Sequence, residues 1–150
     1  MEIIINENTS HKGSGGNVTA EIFLQTGDNA FPACDWSDFP IIIVGNWLNE
    51  YMSFDKTQKE RKFEFYFMDG SYKMTGKTTH SNCYQLTFIK QYWNMEEILY
   101  KEETNIKEFE QTLLKTCRKI LRIMSKTGTK NDNIRNCMTY LKDRLQPTEV

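Results

Sequence analysis

The 150-residue chain has few of the residue types that build catalytic or metal centres. It carries two histidines, His11 and His80. His11 sits in a Gly-rich stretch, where such a side chain is ordinarily solvated. His80 lies in Thr78-Thr-His-Ser-Asn-Cys83, between two expected strands. A Cys83 nucleophile with His80 as base is the enzyme reading, but so short a separation does not itself bring a base against a thiolate. His80-x-x-Cys83 is also half a zinc site without its second half. The four cysteines, Cys34, Cys83, Cys117 and Cys137, are spaced 49, 34 and 20 residues apart and fit no zinc or redox motif. They read as reduced thiols, mostly buried as small hydrophobes. No cofactor and no metal is expected, and the protein is expected not to be an enzyme.

Long apolar runs are also missing. The longest aliphatic run is Ile41–Val44, far short of the roughly 20 residues of a membrane span. Met1–Asn6 has neither the basic start nor the apolar stretch of a signal peptide. A cytoplasmic protein with no membrane partner is the expectation. On that reading the glycosylation-like triplets Asn8-Thr-Ser and Asn17-Val-Thr carry no meaning. Gly13-Ser-Gly-Gly16 lacks the further Gly and the Lys-Ser/Thr pair of phosphate loops, and it leads into a strand. It reads as a flexible hairpin loop. No internal repeat or low-complexity stretch is present. With 39% hydrophobic and 13% aromatic residues the chain is too apolar to be disordered. Its length suits one domain over residues 1–150, able to bury roughly 68–70% of its unfolded surface without disulfide or metal.

Periodicity predicts the elements. Glu2–Asn6 reads as a short strand, and His11–Asn17 as a loop. Val18–Gln25 alternates as a strand. Asp38 is the expected N-cap of a helix with Pro40 in its first turn. Over Ile41–Phe54, the residues Ile43, Trp47, Leu48, Tyr51 and Met52 fall at helical spacing. The β-branched run Ile41–Val44 also fits a strand, but the apolar spacing continues past Gly45, which favours helix. Lys56–Lys62 is a charged connector. Phe63, Phe65 and Phe67 form one face of a strand, Asp69-Gly70-Ser71 a turn, and Tyr72–Thr79 the returning strand. Cys83–Tyr92 and Glu96–Glu103 form a second hairpin about Trp93-Asn94. Asn105 with Glu108 has capping-box spacing, and Phe109, Leu113, Cys117, Ile120, Leu121 and Met124 form one stripe before Gly128. A last helix runs from about Asp132 to Leu145, with Ile134, Met138 and Leu141 inward, and Pro147 closes it. Hairpin strands followed by helices predict an α+β fold. The expected form is one antiparallel sheet of about six hairpin-connected strands, with one inserted helix and two C-terminal helices packed on one face.

The charge total conceals a gradient. With 19 basic and 20 acidic residues the net charge is -1, which gives no overall basic field for nucleic acid. Residues 1–60 hold 3 basic and 9 acidic residues, a net of -6. Residues 61–111 hold 7 and 8, and residues 112–150 hold 9 and 3, a net of +6. Lys115, Arg118, Lys119, Arg122 and Lys126 share one helix face. They read as a solvated face, with a nucleic-acid-binding regulator as the alternative. Asp35, Asp38, Glu50 and Asp55 gather around the first helix in sequence; Glu96, Glu97, Glu102 and Glu103 flank the last strand. Neither group has calcium-loop spacing. They are the candidate partner-binding residues, the first group preferred, for a basic protein partner. The aromatics are dense: Trp36, Phe39, Trp47, Tyr51 and Phe54, then Phe63, Phe65, Tyr66, Phe67 and Tyr72. Most must be core, and any left on an open sheet face would indicate a protein interface.

Phe31-Pro32, Trp36-x-Asp38-Phe39, the aliphatic run into Trp47-Leu48, and Phe67-Met-Asp-Gly-Ser-Tyr72 carry a family likeness. The order of elements over roughly residues 18–125 resembles small immunity proteins of bacterial polymorphic-toxin and contact-dependent growth inhibition systems. Ser71 stands where the family-like pattern has Pro. The resemblance implies no catalytic residue and no cofactor. It implies a cytosolic antidote that binds one cognate toxin domain, often a nuclease with a basic cleft, and occludes its active site. Trp36, Asp38 and Asp69 match motif positions; Asp38 as a cap and Asp69 as a turn residue are equally structural roles.

Overall fold

A computed structural model describes residues 1–53 and 60–146. Phe54, Asp55, most of the Lys56–Lys62 connector and Pro147 lie outside the described residues. Within them the order is β1 (Glu2–Lys12), β2 (Val18–Thr26), β3 (Asn29–Phe31), β4 (Ser37–Asp38), α1 (Pro40–Met52), β5 (Lys62–Tyr66), β6 (Tyr72–Thr78), β7 (Cys83–Tyr92), β8 (Met95–Asn105), α2 (Ile106–Thr127) and α3 (Asp132–Leu145). This is the α+β arrangement with C-terminal helices that the periodicity predicts. No helix among the described residues is long and apolar enough to cross a membrane.

The strands divide differently from the expectation of one six-stranded sheet. They form two antiparallel four-stranded sheets: β1-β2-β3 with β4 also on β2, and β5-β6-β7-β8. Strands β3 and β4 have three and two residues, too few to show any period. Strand β1 runs on to Lys12, past the predicted Asn6, with a register shift between Asn6 and His11. Its alternation fades there because residues 8–12 have no buried face.

Ile41–Val44 is helical, and α1 is buried nearly all round: Ile41, Ile43, Val44, Gly45, Trp47, Leu48 and Tyr51 are enclosed. Such a helix needs cover on every side. It is covered by β2, β5, α2 and α3. Its N-cap is Phe39, without a side-chain capping bond, so Asp38 is not the cap. The caps of the later helices follow the sequence. Asn105 Oδ1 accepts from the Lys107 and Glu108 amides at 2.8 and 3.3 Å. Gly128 ends α2 in the left-handed conformation, at φ 69°, where a Cβ is costly.

Aromatic rings weld the sheets together. Phe31 of β3 meets Phe67, Tyr72, Phe88 and Tyr100 of the second sheet edge-on, with centroids 5.3–6.3 Å apart. Trp47 stacks on Phe65 at 5.3 Å and donates its Nε1–H to the Tyr66 carbonyl at 2.7 Å. Gly76 sits in mid-strand with the Phe63 ring directly over its Cα. No side chain fits there, which explains a glycine in a buried strand.

One polar network runs through this core. Glu110 of α2 is only 3% exposed. Its carboxylate accepts from Arg144 Nε of α3 at 2.7 and 3.0 Å and from the Tyr51 hydroxyl of α1 at 3.0 Å. Tyr51 and Tyr84 share a hydrogen bond of 2.8 Å. The Arg61 guanidinium lies 4.4 Å from the Tyr51 ring centroid. Burial, then the neighbouring Tyr84 and Glu110, hold the Tyr51 hydroxyl far above its ordinary range. Burial pulls Arg144 down, but its bonds to Glu110 outweigh that and raise it. Tyr51 and Arg144 therefore each keep their proton across ordinary pH.

Two substitutions test this packing. Gly76→Ala should cost about 1–3 kcal/mol, as overpacking does, measured as a lower urea midpoint with unchanged slope. Glu110→Ala should cost about 3 kcal/mol or more, because it strands a buried tyrosine hydroxyl and a half-buried guanidinium. A loss below 1 kcal/mol in urea denaturation would show that the network is peripheral.

Candidate protein-interaction surface

The first acidic group does not form one patch. Asp38 is 5% exposed. Its Oδ2 accepts from the Trp36 Nε1–H at 2.9 Å and the Met68 amide at 3.1 Å, and its Oδ1 from the Phe39 amide at 2.7 Å. It is a structural clasp between β4 and the β5–β6 turn, which corrects its assignment as a partner-binding residue. Burial of the carboxylate followed from β4 pairing with β2, which the sequence did not show. Asp35 and Glu50 are exposed, but they flank opposite ends of α1, with ten residues of helix or about 15 Å between Pro40 and Glu50.

The second group is split by strand alternation. A bulge at Leu99 resets β8, so Glu96 pairs with Gln91 and Glu103 with Gln85 on the open face of the sheet, while Glu97 and Glu102 turn to the other side. Each acid has a partner. Glu96 meets Lys73 Nζ at 3.0 Å and accepts from Gln91 at 3.0 Å. Glu97 accepts from the Tyr92 hydroxyl at 2.8 Å. Glu102 lies 3.6 Å from the Met1 ammonium, and Glu103 accepts from Thr79 at 3.3 Å.

The basic face of α2 is partly engaged as well. Arg122 grips Glu7 of β1 through two bonds of 2.8 and 3.2 Å. Lys119 donates to the Ile3 carbonyl at 3.2 Å. Lys115, Arg118 and Lys126 remain exposed. As for the thiols, Cys83 donates to the Ser81 carbonyl at 3.4 Å, and no hydrogen bond joins it to His80. Burial pushes the Cys117 thiol up to about 12 and raises Cys137, so neither supplies a thiolate near neutral pH.

What the fold gathers instead is apolar. Eight large hydrophobic side chains are exposed among the described residues: Ile42, Tyr66, Met68, Tyr92, Trp93, Met95, Ile98 and Leu99. All except Ile42 lie at one end of the second sheet. Register places Tyr66, Lys73, Ile89 and Ile98 in one row across its open face. Met68 is in the β5–β6 turn, and Tyr92–Met95 form the β7–β8 tip at the same end. Trp93 is 96% exposed. A two-residue turn made of Trp and Asn breaks the rule that turns are polar and rich in glycine. That was the available sequence signal, and reading Trp93 only as a turn residue missed it.

Charge frames this surface. Lys73 is buried between Glu96 and Glu64, the latter 3.7 Å away. Burial pulls its amine down, but the Glu96 hydrogen bond and the Glu64 charge outweigh that and raise it. The Gln91 and Lys73 hydrogen bonds hold the Glu96 carboxyl below its ordinary range. Glu96 thus stays ionised near neutral pH, paired with the Lys73 ammonium. β8 is also a sheet edge. Antiparallel self-pairing centred between Leu99 and Tyr100 would set Glu96 against Glu103 and Glu97 against Glu102. Like charges directly opposite are destabilising, and bulges blunt edges. The strand is guarded against its own copy.

No family model, no curated protein and no solved structure matches the chain.

The clasp between β1 and α2 has a pH signature. The Arg122 hydrogen bond, against a smaller opposing effect of burial, lowers the Glu7 carboxyl from its ordinary 4.5. The folded value lies below the unfolded one. Glu7 therefore contributes stability above the ordinary glutamate range and loses it as pH falls through the lowered value. The melting-temperature gap between wild type and Glu7→Gln should be open at neutral pH and close in acid. A pH-independent gap would show that the ion pair contributes nothing.

Proposed function

We propose that the protein is a non-enzymatic immunity protein, which binds a cognate bacterial toxin domain through the β7–β8 end of its second sheet and occludes the toxin's active site. One observation carries the reading: seven of the eight exposed large hydrophobics converge there. Contiguous apolar patches rimmed by polar groups mark protein contact sites, and Trp and Tyr are the residues most enriched among binding hot spots. The family-like motifs supply the kind of partner. Glu64 and Glu96, on the open face, suit a toxin with a basic cleft, such as a nuclease, and would raise the association rate at low salt. The contact residues in this proposal are Tyr92, Trp93, Met95 and Ile98 with Glu96. Asp35 lines none of the depressions at this end, whereas Glu50 borders Ile98, Glu64, Tyr66 and Met68. A nucleic-acid role for α2 would have to rely on Lys115, Arg118 and Lys126, because Arg122 and Lys119 already hold β1.

Co-expression with the toxin encoded beside this gene tests the proposal. Wild type should protect the cell and co-elute with the toxin. Trp93→Ala should weaken binding by about 2 kcal/mol or more, some thirtyfold, without changing the urea midpoint. Asp35→Lys should protect as wild type does. Unchanged binding by Trp93→Ala would remove this end from the interface, and killing despite wild-type protein would sink the immunity reading itself.

A further inference from the structure

The other half of the same open face has the opposite character. Lys62 of β5 and Lys77 of β6 are direct cross-strand partners. Two like charges set opposite each other, with strands about 5 Å apart, repel and destabilise the sheet. The next position in the row is Gln85 of β7, which is neutral, and beyond it stands Glu103 of β8, whose carboxylate accepts from Thr79. Lys101 stands one row away, opposite Thr87. All three lysines are exposed, and none of them has an ion-pair partner among the described residues, whereas Lys73, Arg122 and Arg144 each have one.

Two depressions meet at this lysine pair. The lower, about 480 Å³, is lined by Lys62, Lys77, Thr78, Thr79, His80 and Gln85, with Arg61 beneath and Glu60 on its rim. The upper, about 520 Å³, shares Lys62, Lys77 and Gln85 and runs past Thr75 and Thr87 to Lys101 and Ile98. Its wall also holds Glu50 and Glu64, and Glu64 is bound to Lys73 and to the Tyr66 hydroxyl. Arg61 adds positive charge from below: burial lowers its guanidinium, but the Tyr140 hydrogen bond and nearby tyrosines outweigh that.

We propose that the Lys62–Lys77 pair, with Lys101 and His80 beside it, binds a phosphate dianion, with a mononucleotide as the ligand that also fills the upper depression. The phosphate would sit between the two ammonium groups and relieve their repulsion. Thr75, Thr87 and Gln85 offer hydrogen bonds to the organic part, and Ile98 an apolar contact. Either depression has the volume of a small-molecule site. Ile98 and Glu64 border both this site and the Trp93 surface, but Trp93 lines neither depression and the lysine pair is no part of the toxin contact, so Trp93→Ala and the lysine variants test the two proposals separately.

Calorimetric titration of the full chain at neutral pH and low ionic strength tests it, with inorganic phosphate and adenosine monophosphate as probes. At least one should bind saturably at one site. Tighter binding of the nucleotide names it as the ligand; equal binding names the inorganic ion. Lys62→Gln with Lys77→Gln should weaken binding roughly tenfold or more. Both lysines are exposed, so the variants should fold, and without ligand Lys77→Gln should melt no lower than wild type because one repulsion is gone. No saturable heat, full binding by the double variant, or a lower melting temperature for Lys77→Gln overturns the proposal. So does binding only to an oligonucleotide, which would make the face a nucleic-acid surface instead.

Discussion

A helix that is apolar on nearly every side cannot stand at a surface, and the rest of the fold follows from burying α1. Sheet strands β2 and β5 cover two of its flanks, and α2 and α3 cover the others. The two sheets are therefore held apart in sequence but joined in one hydrophobic cluster. Besides the Trp47 indole N–H, α1 presents a polar group inward at its last turn. There Tyr51 meets Tyr84 and Glu110, and Glu110 in turn holds Arg144. A carboxylate that is desolvated needs every one of these partners. The network consequently fixes α2 and α3 against α1 in one arrangement, where apolar contacts alone would tolerate small slides.

Folding lays the two ends of the charge gradient against each other. The acidic front and the basic tail meet where β1 lies on α2, through Glu7 with Arg122 and the Lys119 bond to the Ile3 carbonyl. Lys12 adds a bond from the end of β1 to the Thr127 carbonyl at the end of α2. The seam pairs one charge from each end of the chain, and the other bonds along it run from lysines to backbone carbonyls. Each exposed contact is weak, about 0–1 kcal/mol, but together they set the register of the first strand on the last long helix. The surviving polarity is on the second sheet instead. Its open face runs from an apolar, anionic end at Trp93 to a cationic end at Lys62 and Lys77, and that contrast arises only when four strands are laid side by side.

Local chemistry made most elements legible in the sequence. Alternating phenylalanines placed β5, and β7 was bounded correctly at Cys83 and Tyr92. Asn105 and Gly128 marked both ends of α2, because a capping side chain and a left-handed turn depend on near neighbours alone. The short strands β3 and β4 were invisible because their pairing energy comes from β2, not from their own pattern. The candidate site was read least well. Acids were grouped by sequence proximity, but strand alternation sends Glu96 and Glu97 to opposite faces, and pairing buries Asp38.

By itself, then, the sequence determined the α+β class, the helix boundaries and the aromatic core. Those depend on hydrophobic period and on capping, which act over a few residues. Only the tertiary structure decided which side chains face water together. Tyr66, Met68, Trp93 and Ile98 are separated by as much as about a fifth of the chain, and Lys62 and Lys77 by a hairpin. Each looked unremarkable alone. Cross-strand register, a non-local quantity set by the burial of α1 and the Phe31 contacts, brought them to shared surfaces.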